Sequence, residues 1–192
     1  MMPINSARLA VTADGTVLVT DPFYDHIARF DAGGTLIDTW AVPEGPIGVA
    51  AHPDGRYFVS LRDEGKVGIY DSAFTFVGYL GDGDPMVNFV QPTDIEISAA
   101  TGSIYVVDGA GDRVYVFAAD GSVALIKSWS TDLTADTDTN NGEDIFLYDT
   151  VTGTMTLVSK STTPGQAANG PSINAEMSAD GKRVVFASLA TD

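Results

Sequence analysis

The chain has 192 residues, of which 44% are hydrophobic and 19% charged, a balance typical of a folded domain that buries a core. Its formal net charge of −16, from 26 acidic and 10 basic residues, disfavours phosphate backbones and anionic lipid surfaces, so we expect neither nucleic-acid binding nor membrane insertion. The absence of cysteine excludes disulfides, thiolate zinc sites and a cysteine nucleophile.

Three segments in the first two thirds of the sequence share the same landmarks. They run from Arg8 to Trp40, from Ile47 to Leu80 and from Thr93 to Ile126. A turn pair recurs 40 and then 47 residues further along, and a position that closes a later strand keeps the same two spacings. Because both markers recur with the same two spacings, they indicate an internal repeat. The turn pairs are Asp14-Gly15, Asp54-Gly55 and Thr101-Gly102, and the closing positions are Asp31, Asp71 and Ala118.

Each repeat predicts four short strands and no helix. An alternating apolar strand such as Ile95–Ile97 runs into the turn pair, and Asp-Gly suits the positive φ angles of a tight hairpin. A β-branched strand such as Ile104–Val107 follows, then a strand ending in an aromatic residue, then an outer strand. Such units must stack to bury both faces, which predicts an all-β propeller of four-stranded antiparallel blades. In the third repeat the expected core residues are Ile95, Ile97, Val106, Val114, Val116 and Phe117.

The third repeat resembles the NHL repeat. Its segments Phe89–Ile97, Ser103–Asp108 and Asp112–Phe117 are similar to the NHL pattern Pro-x-Gly-Ile-Ala-Val, Ile-Tyr-Val-Ala-Asp and Asn-Arg-Ile-x-Val-Phe. The first two repeats fit this pattern more loosely. At its two acidic positions the first repeat has Asp21 and Asp25, whereas the second has Leu61 and Gly65.

The last third of the chain is similar instead to the WD40-like repeat of TolB-type proteins. Asp144–Gly153, Pro171–Ile173 and Ser178–Ser188 have this resemblance. The predicted organisation is therefore NHL-like blades over residues 1–129, followed by a TolB-like blade segment of the same array over residues 130–192.

The two repeat types overlap at one strand. Ala119–Ser128 matches Ala179–Ser188 at a constant offset of 60 residues. Val123–Ser128 is thus both the outer strand of the third NHL-like blade and the second strand of a TolB-like repeat. Strand pattern also extends close to both ends of the chain. We therefore expect about four blades' worth of strands in an incomplete or open ring, cut from a longer array; a closed four-bladed ring is the alternative.

A polar loop in the TolB-like part is the best candidate for a metal site. In it, Asp136, Asp138, Asn140 and Asp144 place carboxylate and amide oxygens at intervals that can converge on a hard cation such as Ca²⁺. The loop departs from the EF-hand pattern, because it lacks the central glycine and the bidentate glutamate at position twelve. The alternative is an ordinary inter-strand loop, and no other cofactor is indicated.

No catalytic motif is recognisable elsewhere in the sequence. The two histidines, His26 and His52, fall in or near turns, which favours a solvated or structural position over a catalytic one. The members of a Ser/His/Asp triad need only be close in space, so they have no fixed spacing in a sequence. The motifs Gly-x-Ser-x-Gly and His-Glu-x-x-His, which do have a fixed spacing, are absent. Trp40 and Trp129 fall in predicted outer strands, where we expect both rings to pack between blades.

The resemblance to NHL repeats implies a non-enzymatic scaffold that binds a protein or other ligand through its loop faces. The alternative is a metal-dependent hydrolase or lyase of the lactonase-like propeller type, which would place metal ligands at the ends of inner strands. Tight binding of one divalent ion would favour the enzyme. The resemblance of the last third to TolB-type repeats favours a periplasmic or secreted location, although the N-terminal segment lacks a signal-peptide pattern and no apolar run approaches the roughly 20 residues of a membrane helix.

Overall fold

The computed structural model describes residues 7–82, 87–111, 113–178 and 180–192. Within these residues the fold is all-β, with sixteen short strands and no helix, as the sequence predicts. The described part accordingly contains no helix that is long and apolar enough to cross a membrane.

Two compact units make up the chain, Met1–Asp112 and Arg113–Asp192. The boundary at residue 129 concerns repeat types rather than contacts, so it stays a prediction. The strands of the first unit are β1 (Leu9–Val11), β2 (Val17–Asp21), β3 (His26–Phe30), β4 (Leu36–Ala41), β5 (Pro46–Ala51), β6 (Tyr57–Leu61), β7 (Lys66–Tyr70), β8 (Phe76–Tyr79), β9 (Pro92–Ile97) and β10 (Ile104–Asp108). Those of the second unit are β11 (Arg113–Phe117), β12 (Val123–Ser128), β13 (Asp144–Asp149), β14 (Thr154–Leu157), β15 (Ser172–Met177) and β16 (Val184–Ser188).

The first unit begins with two blades of the predicted form. Strands β1 to β4 pair in chain order as one antiparallel sheet, and β5 to β8 do the same. The first hairpin of each blade turns at the Asp-Gly pair, where Gly15 and Gly55 have φ angles of 86° and 93°. A side chain with a Cβ is strained at these angles, which explains why the turn pair recurs with glycine. Strands β9 and β10 form a further antiparallel hairpin.

Apolar side chains from the first two blades form one core. Leu18 and Ile27 from the first blade pack with Val49 and Val59 from the second, and all four are buried. At the edge of this core the Phe74 ring stacks 3.8 Å from the Trp40 ring and 4.5 Å from the Tyr57 ring, centroid to centroid. The Arg29 guanidinium lies 4.8 Å from the centre of the Phe74 ring, a cation–π contact.

The two tryptophans differ in their packing. Trp40 packs against Phe74 in the contact between blades, as expected. The expectation for Trp129 is wrong, because this residue follows the end of β12 and its side chain is 69% exposed. Strand β12 ends at Ser128, so the ring lies outside the paired strand and has no blade face to pack on.

The acidic residue of the NHL-like pattern has a structural role in the third repeat. Asp108 is buried at the end of β10, and its carboxylate accepts hydrogen bonds from the backbone N–H groups of Val90 (2.9 Å) and Gln91 (2.7 Å). Two such bonds compensate for burying the carboxylate. They fix the path by which the chain enters β9.

The predicted core of the third repeat is buried with one exception. Ile95, Ile97, Val106, Val116 and Phe117 are buried, whereas Val114 is only half-buried. Tyr115, which the alternation would place on the opposite face from Val116, is fully buried too. This strand therefore buries both of its faces, and the prediction missed Tyr115.

In the second unit, β12 has strand partners on both sides. It pairs antiparallel with β11, where Phe117 lies opposite Ala124 and Tyr115 lies opposite Ile126. It also pairs with β13 along its whole length. Strand β14 then adds to β13, and β15 pairs with β16. The hairpins β11–β12 and β15–β16 turn at equivalent pairs, Asp120-Gly121 and Asp180-Gly181, with glycine φ angles of 80° and 67°. This equivalence fits the 60-residue offset in the sequence.

We expect Val106→Asp to lower the free energy of unfolding by about 4 kcal/mol, because the side chain is fully buried opposite Ile95 and the new carboxylate would have no cation beside it. Val107→Asp is the matched control, since this neighbour points to the other face and is 40% exposed; its effect should stay below about 1 kcal/mol. Urea denaturation measures both. Equal effects of the two variants would contradict the packing described.

Candidate functional site

A cleft of about 770 Å³ lies within the first unit. Its walls come from strands β1, β5 and β9 and from the turns that follow them. Leu9 and Val11 from β1 are 65% and 60% exposed there, whereas the intervening Ala10 packs against the core. Because Ala10 shares the Leu18 face that packs on the second blade, the alternation of β1 places the exposed Leu9 and Val11 side chains on the other face of the strand. Other apolar residues of the lining include Ala51, Pro53, Ile97 and Ala99.

A buried histidine closes one wall of the cleft. The His52 ring lies 3.0 Å from the Gly102 carbonyl oxygen through Nε2 and 2.7 Å from Asp54 Oδ1 through Nδ1. The Asp54 backbone N–H also donates to Nδ1, at 3.3 Å, and these contacts hold the ring between the β5–β6 turn and the β9–β10 turn. Burial raises the pKa of Asp54, but hydrogen bonds from the Arg56 backbone N–H and from His52, together with the Arg56 charge, outweigh it and lower the pKa overall.

This arrangement agrees with the structural position expected for His52. Both ring nitrogens are already engaged, so the imidazole has no nitrogen directed at a nucleophile. His26 begins β3 opposite Asp21 and is half-buried, which agrees with the position near a turn expected from the sequence.

Two carboxyl groups stand among the lining residues, Asp14 and Glu96. Asp14 accepts hydrogen bonds from the Thr12 hydroxyl and from the Thr16 backbone N–H, and these bonds lower the pKa of its carboxyl group. Glu96 is exposed between the buried residues Ile95 and Ile97. None of the described residues that line the cleft is lysine or arginine, so the lining has a net negative charge.

In the second unit, a buried polar cluster surrounds Asp144. This side chain is fully buried, and its carboxylate accepts hydrogen bonds from Ser159 Oγ (2.6 Å) and Asn140 Nδ2 (2.9 Å). Burial raises the pKa of Asp144, and the neighbouring charge of Asp138 raises it further, although Ser159 and Asn140 partly oppose these effects. Sequence reasoning did not identify Ser159, which lies fifteen residues further along the chain.

The four residues predicted to bind a metal are only partly brought together. Asp138 lies beside Asp144 and has a buried Oδ2 atom without a hydrogen-bond partner among the described atoms. Asn140 directs its amide nitrogen, not its oxygen, at Asp144, and its oxygen accepts a bond from the Gly142 N–H at 2.6 Å. Asp136 instead faces Lys160, at 3.8 Å between Oδ1 and Nζ. Across the described ranges, no three His, Cys, Asp or Glu side chains form a group that could hold a metal ion.

Comparisons with known proteins support the fold alone. No protein-family model matches the chain, and no curated protein matches it. Among solved structures, a streptogramin B lyase aligns with a TM-score of 0.52 and 13% identity, over 100% of this chain and 71% of the lyase chain. The hydrazine synthase of Kuenenia stuttgartiensis aligns with a TM-score of 0.47 and 16% identity, over 94% of this chain and 54% of the synthase chain.

A third similar structure is the virginiamycin B lyase of Staphylococcus aureus, with a TM-score of 0.47 and 13% identity over 100% of this chain and 73% of the lyase chain. The chain therefore spans little more than half of the synthase and under three quarters of either lyase. The likeness to the streptogramin B lyase, with the antiparallel four-stranded sheets, shows a propeller-like all-β fold. At such identities the likenesses say nothing about activity.

The Asp138–Asp144 pair makes stability depend on pH. Since the native state binds a proton at Asp144 more tightly than the unfolded chain does, stability falls as the pH rises from the ordinary aspartate range through the raised pKa. Asp138→Asn removes the neighbouring charge. We expect it to stabilise the protein by about 1 kcal/mol at pH 7.5 and by less at pH 4.5. The size of this effect is that of removing a buried polar atom without a hydrogen-bond partner.

Urea denaturation at the two pH values measures this difference. Asp136→Asn is the control, because its carboxylate belongs to the same loop but pairs with Lys160. A stabilisation by Asp138→Asn that is the same at both pH values would show that the two carboxyl groups do not interact.

Proposed function

We propose that this protein is a propeller-type binding module with NHL-like repeats, and that the cleft of its first unit is the ligand-binding site. The supporting observation is a concave surface whose lining includes two exposed aliphatic residues, Leu9 and Val11. Exposed aliphatic side chains in a cleft of several hundred cubic ångströms are typical of ligand sites, since a ligand that covers them gains hydrophobic free energy.

The polar groups of the cleft favour binding over catalysis. Hydrogen bonds within the protein already occupy both His52 nitrogens, and Asp14 caps its own turn. A nucleophile and a base within hydrogen-bonding reach of each other would support an enzyme instead. The described lining offers apolar area and fixed negative charge, which are properties of a binding surface.

A neutral hydrophobic dye tests this proposal without knowledge of the ligand. Nile red should increase in fluorescence on binding the wild-type protein, and Val11→Asp should weaken that binding at least about tenfold by placing a charge on the apolar wall. Val151→Asp is the matched control, because Val151 is an exposed valine in the second unit, in the turn between β13 and β14.

Circular dichroism melting checks that each variant stays folded. If Nile red fails to bind, or binds Val11→Asp and wild type equally, the cleft is not the apolar binding site proposed.

A weak divalent-cation site at Asp138 and Asp144 is a second proposal. Two adjacent carboxyl groups, one of them with a buried oxygen that lacks a partner, suit a hard cation such as Ca²⁺. A cation would relieve the repulsion between the two charges. Asn140 and Ser159 orient the Asp144 carboxylate in this arrangement, and Asp136 is not needed as a ligand.

We expect Ca²⁺ to bind this pair with a Kd of about 10⁻³ M, because a bidentate glutamate is missing. At 10 mM Ca²⁺ the wild-type protein should then gain about 1.4 kcal/mol of stability. Asp138→Asn should abolish the gain, whereas Asp136→Asn should keep most of it. Isothermal calorimetry and denaturation in Ca²⁺ measure the effect, and absence of heat at millimolar Ca²⁺ would refute the site.

A further inference from the structure

We propose that the cleft of the first unit binds an extended peptide in which lysine or arginine side chains alternate with aliphatic ones. This inference rests on the ligand-binding function proposed for the same cleft, and it specifies the chemistry of the ligand. Three features of the cleft support it: the apolar wall, the sign of the charge on the lining, and the strand edges that surround it.

The apolar residues of the lining favour aliphatic side chains in the ligand. Leu9 and Val11 are two residues apart on one strand, so their side chains leave β1 on the same side, roughly 7 Å apart. Side chains at alternate positions of an extended peptide have the same spacing. A peptide with valine at every second position can therefore cover both aliphatic groups at once.

The negative charge on the lining favours cationic groups in the ligand. Asp14 and Glu96 are both exposed, and the hydrogen bonds from Thr12 and Thr16 keep the pKa of Asp14 low, so that its carboxyl group stays ionised at neutral pH. The described lining contains no basic side chain to neutralise them. The net charge of −16 for the whole chain extends the same attraction to longer range. A lysine-containing peptide is thus favoured over an acidic one.

The strand edges favour a peptide over a small amine. Strands β1, β5 and β9 each lie at the end of a sheet and each contribute residues to the cleft. A strand at the end of a sheet has one edge whose backbone N–H and C=O groups lack a strand partner. An extended peptide can pair with such an edge through its own backbone, and a small amine cannot.

Two labelled heptapeptides test the proposal by fluorescence anisotropy. The first is Thr-Val-Lys-Val-Lys-Val-Thr, and its twin has glutamate in place of both lysines. Wild-type protein should bind the lysine peptide at least about tenfold more tightly, and 0.5 M NaCl should reduce that ratio several-fold by screening. The lysine peptide should also displace Nile red, which places it in the cleft.

Charge variants locate the selectivity. The double variant Asp14→Asn with Glu96→Gln should bring the affinity ratio of the two peptides close to one. Asp180→Asn with Glu176→Gln is the matched control: Asp180 caps an equivalent Asp-Gly turn, through a bond from Ser178, and Glu176 is an exposed strand residue of the second unit. This control changes the net charge by the same amount, so it should keep the ratio.

The outcomes separate the two proposals. Equal affinity for both peptides, with Nile red still bound and still sensitive to Val11→Asp, overturns the peptide chemistry and leaves the binding site intact. An equal decrease of the affinity ratio in the control variant also overturns the peptide chemistry, because the preference for the lysine peptide would then reflect net charge alone. Displacement of Nile red by millimolar butylamine, without binding of either peptide, identifies a small-amine pocket instead. Failure of both dye and peptides refutes the binding site itself.

Discussion

Contact between blades is the constraint on which the first unit depends. A four-stranded blade with aliphatic residues on both faces cannot bury them alone, so the first blade packs its Leu18 face on the second blade. The Phe74 ring enters this contact from the β7–β8 turn of the second blade and lies against Trp40 of the first. Because Phe74 has a φ angle of 60°, the backbone accepts strain to deliver the ring, and the stacking must offset that strain.

The repeat architecture was predictable because its determinants are local. Asp-Gly turns fix where each hairpin reverses, and the period of two in segments such as Ile95–Ile97 fixes which side chains face the core. These rules operate over a few residues, so sixteen strands and most of the third-repeat core follow from the sequence alone. Trp129 shows the limit: the position of an aromatic side chain depends on where pairing stops, and β12 stops one residue earlier.

The candidate sites were harder to predict, because their residues meet only in space. The cleft combines Val11, Ala51 and Ile97, which belong to three separate repeats, and nothing local to any of them indicates a concave surface. The metal prediction grouped residues by spacing along one loop. The fold kept Asp138 and Asp144 together, but it turned Asp136 toward Lys160 and introduced Ser159 from a distant turn. Spacing along the loop therefore did not predict which side chains the fold brings together.

The equivalence of the hairpins that contain β12 and β16 bears on how such an array can evolve. The hairpin that contains β12 and the hairpin of β15 and β16 are alike in their turns and lie 60 residues apart in the chain. Unequal recombination between two equivalent hairpins adds or removes a whole 60-residue unit and leaves every remaining strand in its original register. The number of blades can then change in a single genetic event, whereas point substitutions would first have to pass through sheets with unpaired edges.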